Sequence, residues 1–83
     1  MNDADKIKNF LEKETQHTIK SEKENLIDSG ILDSFSMIKL LNFIETELGT
    51  HPNMEELTSR NFDTTETISD MVRRWKQHGN KTD

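Results

Sequence analysis

Apolar residues recur at helical spacing in three parts of the chain. Near the N-terminus, Ile7, Phe10 and Leu11 follow the i, i+3, i+4 pattern of a single helix face. Asp3 precedes them, and aspartate is a preferred residue at a helix N-cap. We therefore predict a first helix over roughly residues 4–16, capped by Asp3.

The longest helical pattern covers residues 34–48, which contain neither glycine nor proline, and Gly49 follows as a helix stop. At about 100° per residue, the apolar residues of this segment group on one face, which predicts the core contacts. That face consists of Met37, Leu40, Leu41, Ile44 and Leu48. The opposite face consists of Phe35, Ile38, Lys39, Asn42, Glu45 and Thr46. Phe35 and Ile38 are apolar and lie outside the core face, so two roles are open: they pack against the preceding loop, or a partner protein contacts them.

A third helical pattern places apolar residues at i, i+3, i+4 and i+7, namely Ile68, Met71, Val72 and Trp75. We predict that this helix begins at Asp63 or Thr64 and that residues 78–83 after it are frayed. Trp75 follows the core spacing, so its predicted role is packing. The core face of the middle helix is predicted to pack against Ile7, Phe10 and Leu11 and against Ile68, Val72 and Trp75.

The two connections between these helices differ in character. Residues 17–33 lose the helical period but keep several apolar side chains, so we predict an ordered loop that packs against the core. Long ordered loops are often functional. Residues 49–63 contain Pro52 and widely spaced apolar residues, which predicts a loop with at most one short helical turn. Three main helices around one core indicate an all-α fold, a small bundle of three to four helices.

Composition limits the chemistry that this chain can perform alone. It has 83 residues, of which 30% are hydrophobic and 33% charged, so we predict a single domain over residues 1–77. A core of this size leaves little room for a large enclosed active site. The absence of cysteine excludes disulfides, thiolate metal sites and thiol nucleophiles from the chain. Any thiol chemistry would need a thiol from another molecule.

Charge and hydropathy argue against several classes of partner. A net charge of −5 repels phosphate backbones and anionic lipids, so nucleic acid and membrane insertion are not expected. The chain has no apolar run of the length that a membrane span or an export signal needs, and we expect a cytoplasmic monomer. His17, His51 and His78 are far apart and lack the spacing of metal ligands, so no metal site is expected.

The segment Gly30–Ser36 brings a serine to the first position of the longest predicted helix. A side chain at that position is exposed to solvent and adjoins the unsatisfied N–H groups of the helix start. Asp33 and Ser34 have two possible roles here. In the first, which is the commonest for such residues, they only cap the helix. In the second, they form a functional site. The spacing alone leaves both open.

The longer string around this serine resembles the acyl carrier protein family. Residues 26–35 read Leu-Ile-Asp-Ser-Gly-Ile-Leu-Asp-Ser-Phe, and residues 37–45 read Met-Ile-Lys-Leu-Leu-Asn-Phe-Ile-Glu. Residues 61–64 and the pattern of the last helix are similar to the family's short third and its fourth helix. The resemblance implies a bundle of the acyl-carrier type. It also implies that Ser34 carries a covalent 4'-phosphopantetheine group, with Asp33 as the adjoining acidic residue.

The resemblance also implies what the protein works with. The thiol of the phosphopantetheine arm would carry an acyl group as a thioester, and partner enzymes would supply the catalysis. Those partners are a phosphopantetheinyl transferase, an acyl- or aminoacyl-loading ligase, and acyl-processing or acyltransferase enzymes. They would dock on one face, consisting of Phe35, Ile38, Lys39, Asn42 and Glu45.

Three residues depart from the fatty-acid type of carrier. Ser36 replaces a frequent acidic residue, Lys39 interrupts an acidic helix face, and Arg60 reduces the acidity of the third-helix region. These departures favour a specialised lipid or secondary-metabolite pathway. An aminoacyl carrier, of the D-alanyl or peptidyl kind, is the alternative.

Two further function classes compete with carriage. One is a small helical interaction domain without a prosthetic group, in which Asp33 and Ser34 only cap a helix. The other is an enzyme with Ser34 as its nucleophile, which would need a base held in place by a third group. The chain offers no such constellation, so the enzyme is the weakest of the three.

Overall fold

A computed structural model describes residues 2–77 of the chain. Over this range the protein is all-helical and contains no strand, which confirms the predicted fold class. The elements are α1 (Asp3–Thr15), α2 (Ser34–Glu47), a short 3-10 helix (Met54–Glu56), α3 (Ser59–Phe62) and α4 (Thr65–Gln77). The predicted fraying of residues 78–83 lies outside the described residues.

The first helix begins one residue earlier than predicted. Asn2, not Asp3, is the N-cap, and its side-chain oxygen accepts a hydrogen bond from the Asp5 backbone N–H at 2.8 Å. This register places Asp3 and Asp5 in the first turn, where the helix dipole favours negative charge. The helix ends at Thr15, and the left-handed backbone of the C-cap residue Gln16 (φ 58°) turns the chain into the long loop.

The core forms where α1, α2 and α4 meet, and α1 contacts both other helices. Its buried residues are Ile7, Leu11, Ile19, Leu26, Ile31, Leu32, Leu40, Ile44, Leu48, Phe62, Ile68, Met71, Val72 and Trp75. The predicted packing role of Trp75 is therefore confirmed. The expected face of α2 is only partly correct, because Met37 and Leu41 are half-buried. The helix is rotated so that Ser36, Leu40 and Ile44 are its fully buried residues.

The segment between α2 and α4 has more helix than predicted, with a 3-10 helix and the short α3 instead of at most one turn. Asn53 accepts a hydrogen bond from the Glu55 N–H at 3.0 Å and starts the 3-10 helix. Helix α3 ends with Phe62, which is fully buried. The spacing of apolar residues did not indicate α3, because a helix of a single turn is too short to show an apolar period. Helix α4 then begins at Thr65, just after the predicted start, and Thr64 accepts a bond from the Thr67 N–H.

The long loop before α2 is ordered and packed, as predicted. Four of its five apolar side chains are buried, whereas Ile27 is 36% exposed. Two backbone bonds tie the loop to the far end of the chain, from the Leu26 N–H to the Asp63 carbonyl at 2.7 Å and from the Glu66 N–H to the Glu22 carbonyl at 3.2 Å. The long loop is thus held by contacts with residues that are distant in the sequence. None of the described helices is long and apolar enough to cross a membrane.

Candidate functional site

The end of the long loop fixes the direction in which the chain enters α2. Asn25 accepts hydrogen bonds from the N–H groups of Ile27 at 3.0 Å and Asp28 at 2.8 Å, which forms a tight turn. Gly30 follows with φ of +84°, a conformation that favours glycine. The Leu32 N–H then bonds to the Leu26 carbonyl at 2.9 Å and closes the turn. The loop is therefore anchored immediately before Asp33 and Ser34.

Asp33 and Ser36 form a reciprocal capping box at the start of α2. The Asp33 carboxylate accepts a hydrogen bond from the Ser36 backbone N–H at 2.9 Å, and the Ser36 hydroxyl oxygen accepts one from the Asp33 N–H at 2.9 Å. The Ser36 hydroxyl has two acceptors within reach of its proton, the Ile31 carbonyl at 3.0 Å and an Asp33 carboxylate oxygen at 3.1 Å. Ser36 is only 4% exposed, so its hydroxyl is committed to the protein interior.

The hydrogen bonds of this box also act on the charge of Asp33. The backbone N–H of Ser36, followed by its hydroxyl, holds the pKa of Asp33 below the ordinary value for aspartate. The carboxylate is exposed to solvent and stays ionised at neutral pH. Asp33 thus places a fixed negative charge directly before Ser34.

Ser34 is the first residue of α2 and is exposed. Its hydroxyl makes no hydrogen bond to any residue in the range 2–77. A cavity of about 220 Å³ lies at the start of α2, with Asp33, Phe35 and His17 in its lining, and Ser34 is not one of its lining residues. Since no base within the described residues holds the Ser34 hydroxyl, this geometry suits a group that an external enzyme modifies.

The five residues of the predicted docking face lie along α2 beyond Ser34. Phe35 and Ile38 are each 67% exposed, which confirms that they lie outside the core, and Asn42 is exposed as well. Lys39 and Glu45 are not free charges on this face. The Lys39 ammonium lies 4.9 Å from the Phe35 ring centroid and 3.5 Å from a Glu14 carboxylate oxygen of α1. The Glu45 carboxylate lies 3.0 Å from His51 Nδ1.

The histidines do not gather at the site. His17 Nδ1 lies 2.8 Å from the Thr15 carbonyl, and His51 contacts Glu45 across the end of α2. His78 lies outside the described residues. Within the part of the chain that the structure describes, no group of three or more histidine, cysteine or acidic residues is placed to hold a metal ion.

Sequence reasoning identified Asp33 and Ser34 but missed the role of Ser36. The spacing of Asp33 and Ser36, cap and third helical position, is that of a capping box with serine in place of the usual Glu or Gln. That spacing was a signal that Ser36 is used structurally. The pairing of Lys39 with Glu14 had no comparable signal, because it joins two separate helices.

Comparisons with family models and with curated proteins identify no relative of this chain. No family model matches the chain, and no curated protein sequence matches it.

Proposed function

We propose that this protein is a carrier that holds acyl groups as thioesters on a 4'-phosphopantetheine arm attached to Ser34. The observation that carries the proposal is the contrast between two serines of one helical turn. Ser34 is exposed and without a hydrogen-bond partner in the described range, whereas Ser36 is buried and bonded at both ends of the capping box. The sequence resemblance around Ser34 supplies the chemical identity of the modification.

The attachment step is a transfer between coenzyme A and the serine. The Ser34 oxygen attacks the phosphorus that bears the pantetheine, and a phosphodiester forms. The pyrophosphate bond of coenzyme A breaks, the nucleotide half leaves, and the serine proton passes to a base of the transferase. This chain contributes an accessible hydroxyl in a fixed position and needs no base of its own.

The local electrostatics support a phosphodiester at this position. Ser34 stands at the N-terminus of a helix of 14 residues whose first turn contains no acidic residue, so the positive end of the dipole is available to it. The Asp33 carboxylate is turned into its capping bond with the Ser36 N–H. The helix dipole therefore favours a phosphate on Ser34, and the ionised Asp33 carboxylate beside it opposes part of this effect.

The chain acts in this proposal as a substrate of other enzymes and not as a catalyst. A phosphopantetheinyl transferase attaches the arm, a loading ligase supplies the acyl group, and processing enzymes or acyltransferases use it. The exposed Phe35 and Ile38 give these enzymes an apolar contact beside the attachment site. Presentation of a tethered group raises its effective concentration at each enzyme in turn.

The proposed cargo belongs to a specialised pathway. Partners that recognise an acidic helix would meet Lys39 in the middle of the docking face, and its ammonium is already bound by Glu14. Ser36, which stands where an acidic residue is frequent in fatty-acid carriers, is used here to stabilise the helix start. Both features separate this chain from a general fatty-acid carrier.

Intact-mass analysis tests the proposal. The protein is incubated with coenzyme A and a phosphopantetheinyl transferase, and a gain of one phosphopantetheine group is expected. Ser34→Ala should abolish the gain, while Ser36→Ala, checked for folding by circular dichroism, should retain it. An unmodified wild-type protein, or a modified Ser34→Ala variant, would overturn the proposal.

A further inference from the structure

An ion pair between two helices lies at the edge of the predicted docking face. The Lys39 ammonium of α2 lies 3.5 Å from a Glu14 carboxylate oxygen of α1, and the two side chains are 44% and 26% exposed. Lys39 belongs to the docking face, whereas Glu14 lies on the other helix and outside that face. The charge of Lys39 is therefore balanced by a residue outside the surface proposed for partner enzymes.

The position of Glu14 is fixed by the packing of α1 against α2. The rings of Phe10 and Phe43 stack between these helices, with their centroids 4.4 Å apart, and both are half-buried against the core. Glu14 follows Phe10 by four residues, which is one helical turn along the same face of α1. Lys39 precedes Phe43 by the same interval on α2, so the ion pair and the ring stack join the same two helix faces. Core packing thus sets Glu14 opposite Lys39.

Lys39 also contacts the apolar surface that adjoins Ser34. Its ammonium lies 4.9 Å from the centroid of the Phe35 ring, within the range of a cation–π contact. Phe35 follows Ser34 directly and is 67% exposed, so an enzyme that reaches Ser34 meets this ring. The lysine therefore contacts a docking residue on one side and the Glu14 carboxylate on the other.

These two contacts determine which charge a docking enzyme meets beside Ser34. With Glu14 in place, a cation and an anion lie close together, and their fields largely cancel at the distance of a partner surface. Without Glu14, the ammonium would be an unpaired cation on a flexible stem. Glu45 lies six residues further along α2, about 9 Å at a rise of about 1.5 Å per residue, and contacts His51. Glu45 is therefore not placed to replace Glu14.

We infer that Glu14 is a specificity-determining residue of this carrier and that it acts through Lys39. It holds the ammonium beside Phe35 and cancels its charge, so the docking face repels a basic docking patch less than an unpaired Lys39 would. A residue of α1 thus adjusts partner choice on α2. The inference rests on the proposed function, because it needs enzymes that dock beside Ser34.

Steady-state kinetics of arm attachment test this role. The probe is a phosphopantetheinyl transferase with a basic docking patch, used with excess coenzyme A and followed by intact mass. Glu14→Gln should raise the KM for the carrier by roughly two- to fivefold at low salt, the range for exposed ion pairs, and leave kcat unchanged. The increase should shrink as salt is raised, because the charges at the interface are screened.

Matched variants show whether Glu14 acts through Lys39. Glu22→Gln removes the same charge from an exposed position of the long loop and should leave KM unchanged. In a Lys39→Gln background, Glu14→Gln should lose most of its effect on KM. NMR reports the position of the lysine, because the Phe35 ring shifts the protons beside the Lys39 ammonium upfield, and this shift should fall in Glu14→Gln. Thermal melts establish that each variant folds.

The outcomes separate this inference from the proposed function. If the wild-type protein gains no arm in mass analysis, the proposed function and the role of Glu14 are both overturned. If the arm attaches but Glu14→Gln behaves like Glu22→Gln, keeps its full effect without Lys39, or changes only kcat, only the role of Glu14 is overturned.

Discussion

Ser34 and Ser36 lie two residues apart in the first turn of α2 but have opposite environments. Ser34 faces solvent, whereas the Ser36 hydroxyl lies 3.0 Å from the Ile31 carbonyl inside the protein. Residues two positions apart on a helix do not share a face, so burial of one exposes the other. Ser36 therefore stabilises the start of α2, whereas Ser34 is accessible for modification.

The two serines should therefore respond differently to alanine substitution. Ser36→Ala removes half of the capping box and leaves the Asp33 N–H and the Ile31 carbonyl without their partner, which should cost about 1–2 kcal/mol. Ser34→Ala should change the free energy of unfolding by less than about 0.5 kcal/mol, as is usual for surface positions. Urea denaturation followed by circular dichroism measures both. A larger loss for Ser34→Ala would contradict the described cap.

Core substitutions should distinguish the two adjacent leucines of α2. Leu40 is fully buried and Leu41 only partly, so Leu40→Ala should cost about 2–5 kcal/mol and Leu41→Ala clearly less. A small domain has on the order of 5 kcal/mol of stability, so Leu40→Ala should come close to unfolding. Thermal melts of the two variants give the comparison. Equal losses would indicate that α2 is not rotated as described.

The capping carboxylate should make stability depend on pH in the acid range. Hydrogen bonds from Ser36 lower the pKa of Asp33 in the folded state, so the unfolded state takes up the proton first as the pH falls. The stabilisation is complete above the ordinary aspartate pKa of about 4 and is lost as the pH falls through the lowered pKa. Asn is a comparable cap that does not titrate, which makes Asp33→Asn the control. The stability of the wild type relative to this variant should fall as the pH is lowered through the ordinary aspartate pKa and then through the lowered pKa of Asp33, and a constant difference would contradict the lowered pKa.

Lys39 should limit the use of this carrier by general fatty-acid enzymes. If the docking face is as proposed, Lys39→Glu makes it more acidic, and the loaded variant should become a better substrate for enzymes with a basic docking patch. The gain should shrink as salt is raised, because the charges at the interface are screened. Lys20→Glu makes the same change in net charge on the long loop and should give no gain. Equal turnover of wild type and Lys39→Glu at low ionic strength would mean that the lysine plays no part in partner choice.

Local patterns in the sequence predicted most of the α-helices and the position of the candidate site. The apolar period gave the three main helices to within a few residues, and the exposure of Phe35 and Ile38 followed from their angles on α2. The apolar period did not show the short α3, because one helical turn offers no period to detect; only the resemblance of residues 61–64 to the family's third helix indicated it. The N-cap of α1 was placed one residue late because Asn2 and Asp3 are both good caps, and the local pattern did not separate them.

By itself, the sequence determined which segments form the main helices and that Ser34 begins one of them, because periodicity and capping act between residues a few positions apart. Only the tertiary structure decided how α2 is rotated, and so buried Ser36 and left Leu41 half-exposed. The stacking of Phe10 on Phe43 and the ion pair of Lys39 with Glu14 were likewise visible only in the tertiary structure. These contacts join separate helices, and their geometry depends on how side chains of the whole core pack together, which no local pattern records.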